Sequence, residues 1–337
     1  MSKDKVIYFP YANRTFFSRN KFQNNFMDAL RVSYDLVRLE AVSVDNEKLK
    51  GVKAAVFNWL EYHLDETMKS RIIFYKKCGI KIIWVFHNRL PHECSGGDEI
   101  KKMSWIADNS DVIILLSKAS VKYLPGKNNE RKTFYAPHPL YQVYESDCFA
   151  NRKNLFSNEN ITIGFLGMIR PYKRIELLIK LAKEEKINLI VAGFATVPEY
   201  AEKIRESVAG ADNIFFTTEK NSDRDFFFYH QQADIIALPY NTKSSMNSGS
   251  MIMAFSCAKP VLVTDIAMAR DLANEAFVHI IHGETNEDIE MEFRLELKKC
   301  IAQGVEKLKE QGALARTYVE NNNSLDIVAK DFKAMIG

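Results

Sequence analysis

The first half of the chain alternates apolar runs with segments of helical periodicity. The apolar runs read KVIYFPY, YDLVRLEAV, AAVFNWL, IKIIWVFH and DVIILLS, and a helical pattern, NKFQNNFMDALRVS, follows the first of them. Strands that alternate with segments of helix length predict a parallel sheet with helices on both faces.

A second alternation follows a polar, aperiodic stretch at residues 146–160. Its strands read ITIGFLG, INLIVAGF, NIFFTT, ADIIALPY and KPVLVTD, with helices such as Pro198–Val208 and Asp223–Gln232 between them. We therefore predict an α/β protein with two doubly wound Rossmann-like domains, over residues 1–145 and 161–318. Residues 146–160 would link them, and residues 319–337 would form a C-terminal helix, for which we consider a return to the N-terminal domain. Ligands of such sheets bind beyond the carboxyl ends of the strands, so the residues after each strand carry the information.

Charge is distributed unevenly along the 337 residues. Residues 1–145 hold 23 Lys and Arg against 16 Asp and Glu, whereas the remainder holds 23 against 27. A basic first half suits an anionic surface or acceptor, although the asymmetry is equally consistent with chance. We expect no nucleic acid partner.

Neither a membrane span nor a signal peptide is visible in the sequence, so we expect a cytoplasmic protein. The five cysteines form no C-x-x-C pair, and the spacing of His87, His92 and Cys94 matches no common metal site. We expect no metal and no cofactor.

A basic turn follows the strand ITIGFLG. Arg170, Lys173 and Arg174 crowd into it, and such a turn either faces solvent or holds an anion. Arg170 offers a planar fork of donors, Lys173 would lie near the same side, and Arg174 would point elsewhere. Pro171 suits the first turn of a helix.

A run of small residues follows the strand ADIIALPY. Ser248, Gly249 and Ser250 lead into a predicted helix over Met251–Cys257. Exposed N–H groups at a helix start attract phosphate, although a plain N-cap explains the serines equally well. A diphosphate would bridge this helix start and the basic turn.

These segments resemble the nucleotide-sugar-binding domain of GT-B glycosyltransferases, nearest to the family-4-like group that builds bacterial surface polysaccharides and glycolipids. The resemblance covers residues 161–265 and rests on GFLGMIRPYKRIELLIKLA, LIVAGF, ADIIALPY and SGSMIMAFSCAKPVLVTD in that order. It implies a GT-B fold with an interdomain cleft, a nucleoside-diphosphate-sugar donor and a glycan or lipid-linked acceptor. The donor-binding residues that it implies are Gly167, Arg170, Lys173, Gly193, Ser248, Gly249 and Ser250.

Three positions depart from the family pattern. Met168 stands where the family usually has Arg, and Ser245 and Met253 stand where it usually has two glutamates that contact the donor. We therefore expect a divergent branch of the family.

The catalytic candidates lie after strands of the first half. An inverting transfer needs a general base, for which Glu61 and His87 are candidates, whereas in a retaining transfer the resemblance gives His87 a contact to the donor sugar. Asn88, His92 and Glu93 are candidates for the acceptor side. Alternatively, His87 and Asn88 cap a loop and Glu61 is a solvated acid.

Two other functions remain open: a noncatalytic nucleotide-sugar-binding subunit, and a GT-B epimerase that acts on the donor. We interpret Asp223 and Asp225 as a helix start and expect metal independence, because Arg170 and Lys173 can neutralise the departing diphosphate. A further hypothesis, peripheral association with the inner face of the membrane, rests on basic and aromatic residues near the N-terminus: Arg14, Arg19, Lys21, Phe16, Phe17, Phe22 and Phe26.

Overall fold

The structure, a computed structural model, divides the chain into two compact units. Unit 1 comprises Met1–Leu140, Lys243–Asn247 and Asn322–Gly337, and unit 2 comprises Tyr141–Thr242 and Ser248–Asn321. The residues that the structure describes are 3–11, 21–39, 48–90, 97–126, 129–143, 149, 152–218 and 222–337.

The described strands of unit 1 form a six-stranded parallel sheet in the order β2-β1-β3-β4-β5-β6. The strands are β1 (Lys5–Phe9), β2 (Asp35–Arg38), β3 (Val52–Asn58), β4 (Lys81–Phe86), β5 (Val112–Leu115) and β6 (Thr133–Tyr135). The helices are α1 (Lys21–Ser33), α2 (Glu66–Lys77), α3 (Gly97–Asn109) and the C-terminal α11 (Leu325–Ile336).

One face of this sheet is covered by α1 and α11. Phe26 of α1 and Phe332 of α11 lie with their ring centroids 4.5 Å apart, and both are buried against Val56 and Val85 of the sheet. Lys81 at the start of β4 donates to the backbone carbonyl of Met335 at 2.9 Å. The last helix of the chain is therefore part of the unit 1 core.

The described strands of unit 2 form a second six-stranded parallel sheet, in the order β12-β11-β10-β7-β8-β9. Its strands are β7 (Thr162–Leu166), β8 (Asn188–Ala192), β9 (Ile214–Thr217), β10 (Ile235–Leu238), β11 (Val261–Thr264) and β12 (Val278–Ile281). Its helices are α4 (Ile175–Glu184), α5 (Pro198–Val208), α6 (Asp223–Gln232), α7 (Gly249–Ser256), α8 (Ala267–Arg270), α9 (Asn286–Gln303) and α10 (Val305–Asn322).

Each sheet contains a point where the strand order reverses direction. In unit 1 it lies between β1 and β3, and in unit 2 it lies between β7 and β10. At such a point the loops after two adjacent strands leave toward opposite faces of the sheet and open a crevice at its carboxyl edge. The two doubly wound sheets confirm the predicted fold class.

Several details differ from the sequence predictions. Strands β6 and β12 were not predicted, and residues 243–247 lie with unit 1 although their neighbours on both sides lie in unit 2. Helix α7 begins at Gly249 rather than Met251, because the Ser248 side chain caps it. Phe22 and Phe26 are buried in the unit 1 core, so these two phenylalanines are not available to a membrane.

The predicted helix start at Asp223 is confirmed. Ser222 and Asp225 form a capping box at the beginning of α6, and both acids of DRD lie in the first turn. Across the described residues, no helix is long and apolar enough to cross a membrane.

Truncation of Phe332 should destabilise unit 1 strongly. Phe332 is 1% exposed, whereas Leu325 on the same helix is 40% exposed. We expect Phe332→Ala to lower the free energy of unfolding by about 3–5 kcal/mol, because the change removes transfer energy and leaves a cavity. Leu325→Ala should cost less than about 1 kcal/mol. Urea unfolding followed by circular dichroism measures both, and equal losses would show that α11 does not belong to the core.

Candidate active site

The loops after β7 and β8 touch at the carboxyl edge of the unit 2 sheet. Gly167 follows β7 and its N–H donates to the carbonyl of Ala192 at 3.1 Å. A Cβ atom on Gly193 would lie 1.7 Å from the Gly167 carbonyl oxygen, and one on Gly167 would lie 2.7 Å from Ser250 Oγ. Only glycine at position 193 permits this approach, which brings the basic turn beside the start of α7.

The basic turn is a single 3₁₀ turn over Pro171–Lys173. Arg170 caps it in extended backbone conformation, with Pro171 in its first position as predicted. The buried Nε atom of Arg170 has no hydrogen-bond partner among the described residues. Arg174 adopts the left-handed conformation and donates from Nη2 to Asn286 Oδ1 at 2.9 Å, so it is directed to the start of α9.

Tyr240 connects the basic turn to α7. The Nζ atom of Lys173 lies 3.6 Å from the centroid of the Tyr240 ring, and the Tyr240 hydroxyl lies 2.9 Å from Ser248 Oγ. The Thr264 hydroxyl donates to the Tyr240 carbonyl at 2.9 Å. Tyr240 was not among the predicted site residues. Its position at the end of ADIIALPY, two residues after β10 and at the switch point, is the signal that would have identified it.

Ser248 has a structural role at the start of α7. Its Oγ accepts from the Met251 N–H at 3.1 Å and pairs with Tyr240, and the residue is buried. The first N–H groups of a helix have no intrahelical acceptor, so those of Gly249 and Ser250 remain for a ligand. Met253, where the family usually has a glutamate, is buried in α7.

These residues form one group, which we call the cradle: Gly167, Arg170, Lys173, Gly249 and Ser250. All of them follow β7 or β10, the two strands that flank the switch point of unit 2. Two cations and the positive end of a helix dipole favour a ligand with two or more negative charges. A diphosphate has that charge.

In unit 1, His87 and Asn58 form a hydrogen-bonded pair at the carboxyl edge. His87 Nε2 lies 2.8 Å from Asn58 Oδ1, and the His87 ring stacks on Trp59 at a centroid distance of 4.4 Å. Burial lowers the pKa of His87 to about 3, with a smaller effect from His138 in the same direction. His87 is therefore neutral at physiological pH and is a weak general base.

Glu61 lies on the other face of the same sheet. It is 2% exposed and lies beside Trp84 of β4. The neighbours of Trp84 in β4 face α1 and α11, and successive side chains of a strand point to opposite faces, so Trp84 faces away from these two helices. Burial raises the pKa of Glu61 to about 7, and the nearby Trp84 indole lowers it only in part. Neither Glu61 Oε2 nor Trp84 Nε1 meets the geometry of a hydrogen bond within the described ranges. The structure thus separates the two catalytic candidates.

The acceptor-side candidates are only partly described. Asn88 is buried next to His87, whereas His92 and Glu93 lie outside the described residues. The described residues contain no group of three or more His, Cys, Asp or Glu side chains that could hold a metal ion.

The fold and the cradle define a class of protein. Two doubly wound sheets in one chain are the architecture of GT-B enzymes that use nucleotide sugars. Residues 149–315 match the family described as glycosyl transferases group 1. The chain is a glycosyltransferase with a GT-B fold.

Among similar proteins is the GDP-mannose:glycolipid 4-beta-D-mannosyltransferase of Xanthomonas campestris pv. campestris, which is 22% identical over 283 residues. The match covers 79% of this chain and 76% of that protein. Among solved structures, HepE (Alr3699) of Anabaena in complex with UDP has a TM-score of 0.75 at 12% identity, covering 99% of each chain. Sucrose-phosphate synthase from Thermosynechococcus elongatus has a TM-score of 0.72 at 13% identity, covering 99% of this chain and 98% of that one.

The two cations of the cradle should be distinguishable from Arg174 by binding. We expect Arg170→Ala or Lys173→Ala to weaken nucleoside diphosphate binding about ten- to a hundredfold, because a charge-assisted hydrogen bond is worth roughly 1.5–3 kcal/mol. Arg174→Ala is the matched control from the same turn and should change affinity little, since its side chain binds Asn286. Isothermal titration calorimetry measures all three. Equal affinities across the variants and the parent would show that the turn does not bind the ligand.

Glu61 should make stability depend on pH. The folded protein retains the Glu61 proton between its ordinary pKa of 4.5 and about 7, whereas the unfolded chain has released it, so stability falls as pH rises through this window. Glu61→Gln removes this dependence and should gain up to about 3 kcal/mol relative to the parent between pH 4.5 and 8.

Unfolding free energies across this pH range test the expectation. Glu66→Gln is the control, because the Glu66 side chain is 88% exposed. If the unfolding free energies of the parent and of Glu61→Gln change with pH in the same way, the Glu61 carboxyl is not buried in the way described.

Proposed function

We propose that this glycosyltransferase transfers mannose from GDP-mannose to a hydroxyl group of a lipid-linked glycan. The observation that carries the proposal is the convergence of the basic turn and the start of α7 on Tyr240 at the switch point of unit 2. Such a site stabilises the diphosphate that departs when the bond to the sugar breaks, and negative charge on that group increases in the transition state.

The cradle residues have separate roles in this proposal. Lys173 supplies a compact positive charge held over the Tyr240 ring, and Arg170 supplies donors with fixed geometry. The N–H groups of Gly249 and Ser250 bind phosphate oxygens, whereas the donor contacts of the two family glutamates are missing here. Because these groups neutralise the diphosphate, we propose that transfer needs no metal ion, and activity should persist in EDTA.

The identity of the donor is supported by the relatives rather than by the site. The relative from Xanthomonas is named for GDP-mannose and a glycolipid, whereas HepE of Anabaena, which shares the fold, has been solved in complex with UDP and glucose. The cradle contacts only the diphosphate that both donors share. Guanine and uracil nucleotides must therefore be compared directly.

In unit 1 we propose that His87 contacts a hydroxyl group of a substrate and does not remove its proton. The neutral ring and its buried pairing with Asn58 support this role. Glu61 has a pKa near that of a useful base, but its carboxyl is enclosed. We expect Glu61→Gln to retain transfer within about tenfold, a smaller loss than general acid-base catalysts show.

The proposal includes peripheral association with the inner face of the cytoplasmic membrane. Support comes from the basic surplus of residues 1–145 and from the glycolipid substrate of the relative. Phe22 and Phe26 are excluded as anchors by burial, and Arg14, Phe16, Phe17 and Arg19 lie outside the described residues. Sedimentation with anionic vesicles at low salt tests this part.

A donor panel tests the proposed function. We expect GDP to raise the melting temperature more than UDP at equal concentration, and GDP-mannose to yield GDP and a mannosylated product with a lipid-linked glycan acceptor. A ligand at 100 times its Kd stabilises the folded state by about 2.7 kcal/mol, so the shift is measurable.

Other outcomes would contradict the proposal. Binding without turnover across a broad acceptor panel would favour the noncatalytic subunit, and sugar interconversion without an acceptor would favour the epimerase. Preference for UDP and UDP-glucose would overturn the donor assignment alone.

A further inference from the structure

Asn58 ends β3 at the carboxyl edge of unit 1, where it is fully buried. It is 0% exposed, and its Oδ1 faces Nε2 of His87 at 2.8 Å. Its Nδ2 has no hydrogen-bond partner among the residues described. An asparagine enclosed in this way loses hydration on both amide atoms and regains one hydrogen bond, so stability alone does not explain its presence.

The pairing dictates which nitrogen of His87 carries the proton. An amide oxygen has lone pairs only, so the Nε2 atom that faces it must be the N–H donor. A neutral imidazole has one N–H, which leaves Nδ1 with a lone pair. Burial holds the ring neutral by lowering its pKa to about 3. Within the described ranges, no group donates a hydrogen bond to Nδ1.

Trp59 holds the plane of the same ring. Its backbone adopts the left-handed conformation at φ 49°, which is rare for a bulky side chain and is concentrated at functional sites. The indole stacks on His87 with an interplanar angle of 14°, and Phe22 contacts the imidazole edge-on at 5.0 Å. The aromatic contacts therefore fix the plane of the His87 ring, and the hydrogen bond to Asn58 fixes the orientation of the ring within that plane.

We propose that Asn58 is a positioning residue that fixes His87 as its Nε2–H tautomer and thereby presents Nδ1 as a hydrogen-bond acceptor to a substrate hydroxyl. The proposal rests on the proposed role of His87 in sugar transfer. It adds that His87 Nδ1 accepts a hydrogen bond from a substrate O–H group, so a substrate that lacks this hydroxyl would lose the hydrogen bond. In the opposite tautomer Nδ1 would carry the proton, so it would donate a hydrogen bond to the oxygen of the substrate hydroxyl.

Nitrogen-15 NMR of the unliganded full-length protein tests the tautomer directly. His87 is assigned by the signal that His87→Gln removes, and we expect the proton on Nε2. Asn58→Ala should give a mixture of tautomers, and Asn58→Asp at pH 8 should restore the Nε2–H form, because a carboxylate can only accept. Asn188→Ala is the control, since Asn188 is also 0% exposed with one unpartnered amide atom in the described structure, but lies in unit 2.

Kinetics then connect the tautomer to transfer. We expect Asn58→Ala to lower kcat about tenfold, the equivalent of one hydrogen bond, with the KM for donor unchanged. Asn58→Asp should recover most of the loss at pH 8, and adding His87→Ala to Asn58→Ala should cost little more.

The proposal is overturned if parent His87 carries its proton on Nδ1, or if Asn58→Ala leaves the tautomer unchanged. It is also overturned if Asn58→Asp, folded by circular dichroism, abolishes the Nε2–H form. None of these results depends on the donor base, so a failed GDP-mannose assignment would leave the tautomer result standing.

Discussion

The contact of Lys173 and Ser248 with one buried tyrosine is the interaction on which the proposed donor site depends. Tyr240 is 1% exposed, with the Lys173 ammonium over its ring and its hydroxyl on the cap of α7. The basic turn and the helix start consequently keep a fixed separation before any ligand arrives. Preorganised charges do not have to be ordered on binding, so more of their interaction energy contributes to affinity. The close approach of Gly167, after β7, and Gly193, after β8, also allows the basic turn to lie beside the start of α7.

The fold class could be predicted from the sequence because the alternation of strand and helix patterns is repeated along the chain. Apolar runs and helical segments alternate throughout, and the residues after β7 and β10 were recognisable as cationic or small. Short elements such as β6, with three residues, give too little periodicity to be seen. The role of Ser248 as the cap of α7 could not be predicted uniquely from the sequence, because it depends on burial and on the contact with Tyr240, and its binding to a ligand stays a prediction.

The structure also clarifies the departures from the family pattern. Met253 is buried and Met168 is exposed, so neither replaces the polar contact of the usual residue at its position. The proposed donor site therefore relies more heavily on Arg170, Lys173 and the start of α7. In unit 1 the sequence placed His87 and Glu61 at strand ends, but pairing across strands decides their environments. Asn58 lies 29 positions from His87 in the sequence, and no local pattern connects the two.

Hydrogen-deuterium exchange in the presence and absence of GDP tests the central claim most directly, because it reports on each segment of the chain separately. If the diphosphate binds the cradle, GDP should slow exchange at the start of α7, in peptides that contain Gly249 and Ser250, and in peptides that span Gly167 to Lys173. Peptides of α10, which does not follow β7 or β10, should be unchanged. Protection confined to unit 1, or saturating GDP binding with no change at the start of α7, would contradict the account.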